Sequence, residues 1–242
     1  MPPVEIDGNP ITGATIDGTD VQEITVDGTT VFSAGAGQPP HYSKLTHWWD
    51  FSADNTTTTF VEDKSNDNND LTQGPGFSFD TINGVQSGDF DGNTQYIRND
   101  GAFATAPFSI FMVIDVDDTV TNFQRMFHGG SNSYDVRVNG TEFNIQSNFG
   151  DSISDTIVGV VNQQSNGTYE ARTDGVSHGT LSTVLTPTID NVTLGDRFPD
   201  QPVGEDGYDG SIGSCLIYDQ TLSSSEVNDI ETFLANKWGV SI

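Results

Sequence analysis

The sequence predicts an all-β protein: a two-sheet antiparallel jelly-roll sandwich with a C-terminal helix, preceded by a small β-hairpin repeat arm. Many strand-length runs rich in β-branched and aromatic residues alternate with Gly, Asn and Asp turns, which is typical of a sandwich. One segment near the C-terminus has the apolar period of an amphipathic helix. The first forty residues repeat a ten-residue unit that the remaining chain does not use.

The arm, residues 1–38, is predicted from three copies of one short motif. Ile6-Asp7-Gly8, Ile16-Asp17-Gly18 and Val26-Asp27-Gly28 recur every ten residues. Apolar residues stand two apart within each unit, as on one face of a strand, and Asp-Gly readily adopts the positive φ angles of a two-residue turn. Each unit is therefore predicted to be a strand, a tight turn and a return strand.

An arm of this size has too few apolar residues to stabilise itself without association. We expect it to be an assembly arm that pairs with other copies of itself and with a capsid or tail protein. A hairpin extension packed on its own domain is the alternative. The Gly, Ala and Pro residues of 33–41 predict a linker to the next domain. The apolar residues expected to mediate assembly are Val4, Ile6, Ile16, Val21, Ile24, Val26 and Val31.

The second domain, residues 39–242, is predicted to be the sandwich. The fully apolar run "FSIFMVIDV" indicates a central strand buried on both faces. "NGT" after Val138 and "TDGV" after Arg172 indicate tight hairpin turns.

One helix is predicted in "TLSSSEVNDIETFLANKWG". Ser223 and Glu226 fit a capping box, and Leu222 can close a hydrophobic staple on Val227. A helix ending at Gly239 and lying across the sandwich would bury one apolar stripe. The stripe consists of Val227, Ile230, Leu234 and Trp238.

The charge balance is strongly acidic, with 8 basic residues against 35 acidic ones and a formal charge of -27. Self-repulsion would weaken the compact state in dilute buffer, whereas molar salt screens it. Because the acidic residues are spread along the whole chain, the composition favours a halophilic protein over a generally acidic mesophilic one. Nucleic-acid binding is disfavoured, since phosphate contacts need clustered Lys or Arg.

Signals of cellular location also bear on function. The start of the chain has neither the basic nor the apolar region of a signal peptide, and no stretch approaches 18 apolar residues, so membrane insertion is not expected. Cys215 lies in an apolar run and is predicted to be a small buried hydrophobe. The composition is nevertheless extracellular in style, rich in Thr, Asn and Gly. A virion component, assembled in the cytoplasm and released by lysis, fits both observations.

Four segments in order resemble a laminin-G-like domain of the concanavalin A-like lectin and glucanase superfamily. They are "HWWDFSADNTTTTFVEDKSNDNNDLT", "GDFDGNTQYI", "FSIFMVIDV" and "YDGSIGSCLIYDQTLSSSEVNDIETFLANKWG". The resemblance spans about residues 42–242 and implies a two-sheet jelly roll. The segment "EITVDGTTVF" in addition resembles modules of tail and capsid appendage proteins of haloarchaeal viruses and phages.

The residues favour a binding protein over an enzyme. Glucanases of this superfamily carry Glu-x-Asp-x-x-Glu on one strand, because retaining hydrolysis needs two carboxyl groups about 5 Å apart, and no such segment occurs here. The four histidines are scattered and predict neither a catalytic triad nor a metal centre. We therefore expect no catalytic residues and no cofactor.

Calcium is the one metal that the sequence raises. "DKSNDNND" alternates oxygen side chains from Asp63, but Asn68 and Gly74 stand where an EF-hand needs Gly and Glu, which excludes that motif. Many laminin-G-like domains bind calcium at the rim, where the closing segment often has Ile-Asp-Glu, whereas this chain has Ile212-Gly213-Ser214. A rim calcium ion and Asp-rich turns that cap their own backbone are both left open.

Ligand contacts are expected from the loops of the sandwich. The polar insertion of residues 195–210 combines aromatic rings, which stack on sugars, with carboxylates, which accept hydrogen bonds from hydroxyl groups; ordinary solvated turns are the alternative. The candidate ligand-binding residues are Tyr134, Arg197, Phe198, Asp200, Asp206 and Tyr208.

These observations together predict a virion appendage protein of a halophilic virus, such as a spike, turret or tail fibre. It would lie at the virion surface and display a lectin-like domain for attachment to a host glycan or glycoprotein. The alternatives are a non-viral cell-surface or polysaccharide-binding module, a purely structural decoration, and an enzyme with unrecognised residues.

Overall fold

The computed structural model forms two compact units, Met1–Tyr42 and Ser43–Ile242. The residues it describes are 5–6, 9–10, 15–16, 19–20, 23–26, 29–33, 38–101, 104–116, 123–129, 134–139, 142–145, 156–163, 168–182, 188–196 and 207–242.

The first unit contains three hairpins of the kind that the repeat predicts. Strands β1 (Glu5–Ile6) and β2 (Asn9–Pro10), β3 (Thr15–Ile16) and β4 (Thr19–Asp20), and β5 (Glu23–Val26) and β6 (Thr29–Ser33) pair antiparallel. In each hairpin the residue before Asp-Gly pairs with the residue after it, so that the Asp-Gly pair is the whole connection. The register of the paired strands is therefore the one that a two-residue Asp-Gly connection predicts.

The described residues of the second unit form a sandwich of two antiparallel sheets followed by one helix, which confirms the predicted fold class. One sheet has eight strands among the described residues: β7 (Leu45–Asp50), β9 (Ser78–Ile82), β10 (Val85–Asp91), β13 (Phe108–Val116), β17 (Thr156–Gln163), β18 (Thr168–Thr173), β19 (Val176–Ser182) and β22 (Asp209–Tyr218). Their order is β19-β18-β17-β13-β22-β10-β9, and β7 also pairs with β22.

The other sheet has six described strands: β8 (Gln73–Gly76), β11 (Tyr96–Asn99), β14 (Phe123–Gly129), β15 (Tyr134–Asn139), β16 (Glu142–Ile145) and β21 (Val192–Leu194). Their order is β16-β15-β14-β21-β11-β8. Two further strands, β12 (Ala104–Thr105) and β20 (Thr188–Ile189), form a separate pair. A short 3-10 turn, Tyr42–Lys44, precedes β7.

The main core lies between the two sheets. Large side chains fill it from both sides, among them Trp49, Phe90, Phe108 and Phe127. Cys215 also belongs to this core, where burial raises the pKa of its thiol, so the prediction of a small buried hydrophobe is confirmed.

A second apolar layer covers the outer face of the eight-stranded sheet. Strand β13 is buried from Phe108 to Ile114 because it pairs with β17 and β22 and is covered on both faces, as the continuous apolar run predicts. The helix α1 (Ser224–Trp238) lies on β13 and β17. Its stripe of Val227, Ile230, Leu234 and Trp238 is buried, as predicted.

Both ends of α1 have the predicted caps. The side chain of Ser223 accepts a hydrogen bond from the Glu226 backbone N–H, and the Glu226 carboxylate accepts one from the Ser223 backbone N–H, at 2.8 Å. Gly239 adopts the left-handed conformation at φ 67° and donates its N–H to the carbonyl of Ala235. These contacts satisfy backbone groups that a helix end otherwise leaves unpaired.

Polar contacts fix α1 to the sheet. Arg172 on β18 makes a two-pronged ion pair with Glu231, with both N–O distances at 3.0 Å, and the Trp238 indole donates to Ser214 Oγ at 3.1 Å. The predicted turn after Arg172 is confirmed, because Thr173 pairs with Val176. Asp174 and Gly175 both have positive φ in this turn, at 48° and 77°.

Candidate functional site

The sequence-predicted ligand residues are only partly within the described chain. Arg197, Phe198, Asp200 and Asp206 lie outside the described residues. Tyr134 begins β15, where its backbone pairs with Gly129 of β14.

Tyr208 has a different role from the predicted one. It is fully buried between the sheets, its ring centroid lies 6.5 Å from that of Phe90, and its hydroxyl donates to the carbonyl of Asp115 at 2.8 Å. A ring with no exposed surface cannot stack on a sugar. The prediction of Tyr208 as a ligand residue is therefore wrong, because its side chain is part of the core.

Five of the seven predicted assembly residues lie in described strands. Ile6, Ile16, Ile24, Val26 and Val31 lie in the hairpin strands of the first unit. Val4 and Val21 lie outside the described residues.

The structure brings a different set of polar residues together on the outer face of the six-stranded sheet. Val136 and Val138 of β15 point into the core, so the alternating residues Asp135 and Arg137 lie on the opposite face. Cα partners in paired strands share a face, which extends this row across the sheet. We call the following residues the polar face: Arg98, Arg125, His128, Asp135, Arg137 and Thr193.

The register orders the polar face into two rows. In the first row Asp135 pairs with His128, His128 pairs with Thr193, and Thr193 pairs with Arg98, so four strands each contribute one residue. In the second row Arg125 of β14 pairs with Arg137 of β15.

A register shift in β14 makes this arrangement possible. The pairing with β15 moves between Arg125 and Phe127, so that Met126 and Phe127 both join the core. The extra residue lets Arg125 and His128, three apart in sequence, occupy the same face of the sheet.

Two arginines converge on one carboxylate within the polar face. Arg125 Nε lies 3.0 Å and Arg137 Nη1 3.4 Å from Asp135 Oδ2, and all three residues are less than 10% exposed. Burial at this level weakens screening by solvent and salt, so these charge-assisted hydrogen bonds hold the three side chains in fixed positions.

Two oxygen atoms of the polar face are buried and have no hydrogen-bond partner among the described residues. They are the second carboxylate oxygen of Asp135, Oδ1, and the hydroxyl oxygen of Thr193. Leaving such a group unsatisfied costs roughly 1–3 kcal/mol, more for a charged one, so folded proteins seldom do it without a bound water or ligand. Both residues are almost completely buried, with Asp135 4% and Thr193 0% exposed, so a water molecule or a ligand would have to enter this face to reach either oxygen.

The loop that the sequence singles out is attached beside this face. The Tyr208 backbone N–H donates to the carbonyl of Gly195 at 2.8 Å, which closes the base of the loop between them. Gly207 forms a parallel bridge with Arg125. Gly195 needs its lack of a side chain, since its φ is 92° and a Cβ would approach the Phe90 ring within 2.2 Å.

The acidic segment considered for calcium has a structural role at Asp63. This carboxylate accepts hydrogen bonds from the backbone N–H groups of Trp48, Ser65 and Asn69 at 2.9–3.0 Å. Burial alone would raise the pKa of Asp63, but the hydrogen bonds from His47 and from the backbone N–H groups of Trp48 and Ser65 lower it below its usual value. Asp63 therefore caps its own turn, and no group of three potential metal ligands occurs among the described residues.

The described part of the chain also has no helix that is long and apolar enough to span a membrane.

Solved structures share the sandwich fold at low sequence identity. Botulinum neurotoxin type C, whose cell entry depends on interaction with two ganglioside molecules, aligns with a TM-score of 0.59 and 13% identity over 80% of this chain. Domain 4 of an extracellular arabinanase from Geobacillus stearothermophilus, solved with arabinotriose, aligns with a TM-score of 0.55 and 16% identity, covering 78% of this chain and 98% of that domain.

The Trypanosoma rangeli sialidase, solved with sialic acid, aligns with a TM-score of 0.58 and 11% identity over 90% of this chain and 36% of its own. This chain spans about half of the neurotoxin chain, 52%. No protein-family model and no curated protein sequence matches it. The chain is thus similar to these β-sandwich proteins in fold.

Proposed function

We propose that the second unit is a lectin-like module that binds a glycan on the polar face, and that binding opens this face, since Asp135 and Thr193 are 4% and 0% exposed without a ligand. The observation that carries this proposal is the pair of buried, unpartnered oxygen atoms, Asp135 Oδ1 and Thr193 Oγ1, on the outer face of a sheet. A carboxylate oxygen held in place by two arginines is suited to accept hydrogen bonds from sugar hydroxyls. Structural neighbours solved with arabinotriose and sialic acid support the same class of ligand.

The test compares two buried hydroxyl groups that both lack a hydrogen-bond partner. Thr193→Val removes the hydroxyl on the polar face without changing side-chain volume, and Ser87→Ala removes the one on β10 of the other sheet. We expect Thr193→Val to weaken glycan binding about 10-fold, the effect of one hydrogen bond, and Ser87→Ala to leave it unchanged.

Binding is measured by glycan array and then by calorimetry, in molar KCl. Both variants should unfold at or above the wild-type temperature, because each loses an unsatisfied buried group. Equal glycan affinity of the wild type and Thr193→Val would show that the polar face is not the binding site. Failure of the wild type to bind any glycan would contradict the proposed function itself.

We further propose that this module belongs to a virion appendage of a halophilic virus, with a laminin-G-like sandwich displayed outward from the particle surface. The support is the resemblance of the repeat to viral appendage modules, the acidic composition and the three Asp-Gly hairpins. Two-stranded hairpins are marginal on their own, which favours association with other copies and with a capsid or tail protein. The protein acts by binding and carries no catalytic residues in this proposal.

Deleting residues 1–38 tests the assembly role of the arm. The truncated chain should remain folded and monomeric by light scattering but fail to enter particles. Normal incorporation of the truncated chain, or its unfolding, would contradict the proposal.

A further inference from the structure

We infer that the open edge of strand β9 is a docking surface for strand β6 of the arm of a second copy of this chain. Strand addition of this kind joins two chains through backbone hydrogen bonds. The inference rests on the proposed assembly role of the arm, and it names the surface that receives the arm.

Strand β9 is an accessible edge of the eight-stranded sheet. It is the last strand in the order of that sheet, and among the described strands it pairs with β10 alone. Its residues from Ser78 to Thr81 are exposed, and Ile82 is buried. A partner strand can therefore reach β9 without any opening of the sandwich.

The turn between β9 and β10 determines which backbone groups face outward. The connection is Asn83-Gly84, with φ angles of 50° and 82°, which is typical of a two-residue hairpin turn. Ile82 and Val85 flank this turn and exchange both of their hydrogen bonds, and bonded and non-bonded pairs then alternate along the ladder. The N–H and C=O groups of Thr81 and Phe79 therefore point away from β10.

Two other sheet edges carry features that discourage strand addition. Strand β8 contains Pro75 and two glycines with positive φ, and its ladder with β11 has a register shift. Strand β19 contains Gly179 at a φ of 93°, and its ladder with β18 also shifts. Strand β9 has no proline and no lysine and keeps five successive pairs with β10, so it is a regular template for a further strand.

Phe79 adds an apolar contact to this edge. It is 42% exposed, one of three large apolar side chains that are exposed among the described residues. Its ring centroid lies 5.6 Å from that of Phe77, which belongs to the main core. Phe79 thus extends the core to the edge of the sheet, where an added strand would cover it.

Strand β6 of the arm fits this edge. Like β9 it has five residues, and it is the longest strand of the arm. Among the described strands it pairs with β5 alone, so its other edge also needs a partner. Val31 and Phe32 are adjacent and fall on opposite faces of the strand, so either orientation places an apolar residue beside Phe79.

Charge favours β6 over a second β9 as the occupant. Two copies that each have a formal charge of -27 repel one another, so a contact between them should add little negative charge. The sequence of β6, "TTVFS", has no charged residue. Two β9 strands paired antiparallel about their centres would instead place two Asp80 residues opposite each other, which is destabilising.

The experiment blocks each edge with a proline in the full chain. Thr81→Pro removes an N–H that points away from β10. Thr30→Pro does the same on β6, because Thr30 pairs with Thr25 one position beyond the pair that flanks Asp27-Gly28. Neither change removes a donor from the hairpin's own ladder. Thr81→Val and Thr30→Val are the matched controls, since both keep the N–H and a β-branched side chain.

Sedimentation velocity in molar KCl measures association as the protein concentration rises. We expect the wild type and both valine variants to associate, and each proline variant alone to associate at least about 10-fold more weakly, the effect of one lost hydrogen bond. A mixture of the two proline variants, one of them fluorescently labelled, should recover association. One variant then supplies an intact β9 and the other an intact β6.

Hydrogen exchange of the wild type needs no variant and decides the inference if a proline variant does not fold. Protection of the backbone N–H groups of residues 78–82 and 29–33 should rise together as the protein concentration rises. Residues 176–182, on the irregular edge strand β19, should keep the same protection at every concentration.

The outcomes separate this inference from the proposed function. A wild type that stays monomeric, or proline variants that associate as the wild type does, overturns the inference. Loss of association in Thr81→Pro but not in Thr30→Pro overturns β6 as the occupant, and new protection at β16 instead of β9 overturns β9 as the surface. Glycan binding and the need of particles for the arm are measured separately, so both can stand when this inference fails.

Discussion

Tyr208 lies in the core at the point where the chain returns to the described residues after Asp196. Its ring is buried in the core, and its hydroxyl donates a hydrogen bond to the Asp115 carbonyl, so both apolar packing and a hydrogen bond hold this side chain in place. We expect Tyr208→Ala to lower the free energy of unfolding by about 3–5 kcal/mol, as for other large-to-small core changes, and Tyr208→Phe by about 1 kcal/mol.

Urea unfolding in molar KCl measures both values for Tyr208. Val176→Ala, at a position that is 59% exposed, is the control and should change the free energy by less than about 0.5 kcal/mol. A Tyr208→Ala protein as stable as the control would mean that the ring is not part of the core.

Only some residues of the polar face could have been predicted from the sequence. In "YDVRV" the alternation of Asp135 and Arg137 with two valines is visible, and it could have indicated a charged outer face. Arg125 and His128 could not be added in this way, because their spacing of three breaks the alternation unless a bulge lies between them. The bulge at Met126 depends on the packing of β14 against β15 and β21, which no local pattern encodes.

At the scale of the elements, the negative charge of Glu226 in the first turn of helix α1 contributes to the stability of the fold. A hydrogen bond from Lys44, together with the Ser223 backbone N–H, lowers the pKa of Glu226 from 4.5 to about 2. A carboxyl group whose pKa is lower in the folded state stabilises the protein above its unfolded pKa, and this stabilisation is lost as the pH falls.

We therefore expect the wild type to melt at a higher temperature than Glu226→Gln at pH 6, and the difference to shrink as the pH falls from about 4.5 to 2. Calorimetric melting of both proteins across this range measures it, and the difference cancels the titration of the other carboxylates. A difference that is constant with pH would contradict the role of the charge.

The same helix shows why some elements are predictable from sequence. Its caps, its stripe and its left-handed Gly239 are local signals within one segment, and the Asp-Gly hairpins are equally local. The order of strands in the two sheets is not local. Nothing in the sequence of β22 indicates that it pairs with β13 along one edge and with β10 and then β7 along the other.

At the scale of the whole molecule, the net charge of -27 predicts a strong dependence on salt. The screening length falls from about 10 Å at 0.1 M salt to about 3 Å at 1 M, so repulsion between surface carboxylates is largely removed. We expect the melting temperature to rise steeply between 0.1 M and 3 M KCl and equally in NaCl, measured by calorimetry. A flat melting temperature across this range would contradict a halophilic surface.

The central position of β22 has a consequence for how the chain acquires its structure. The hydrogen bond from Thr46 Oγ1 to the Ile217 carbonyl joins residues 171 apart, and that from Ser109 Oγ to the Gln220 carbonyl joins residues 111 apart. During synthesis β7, β10 and β13 each have an unpaired strand edge until β22 has been made, because β22 is the strand with which all three pair. Contacts this distant in sequence make folding slow and expose unpaired strands to aggregation. High negative charge makes partly folded chains repel one another and so opposes their aggregation. The same charge that destabilises the native state in dilute buffer therefore keeps folding intermediates soluble.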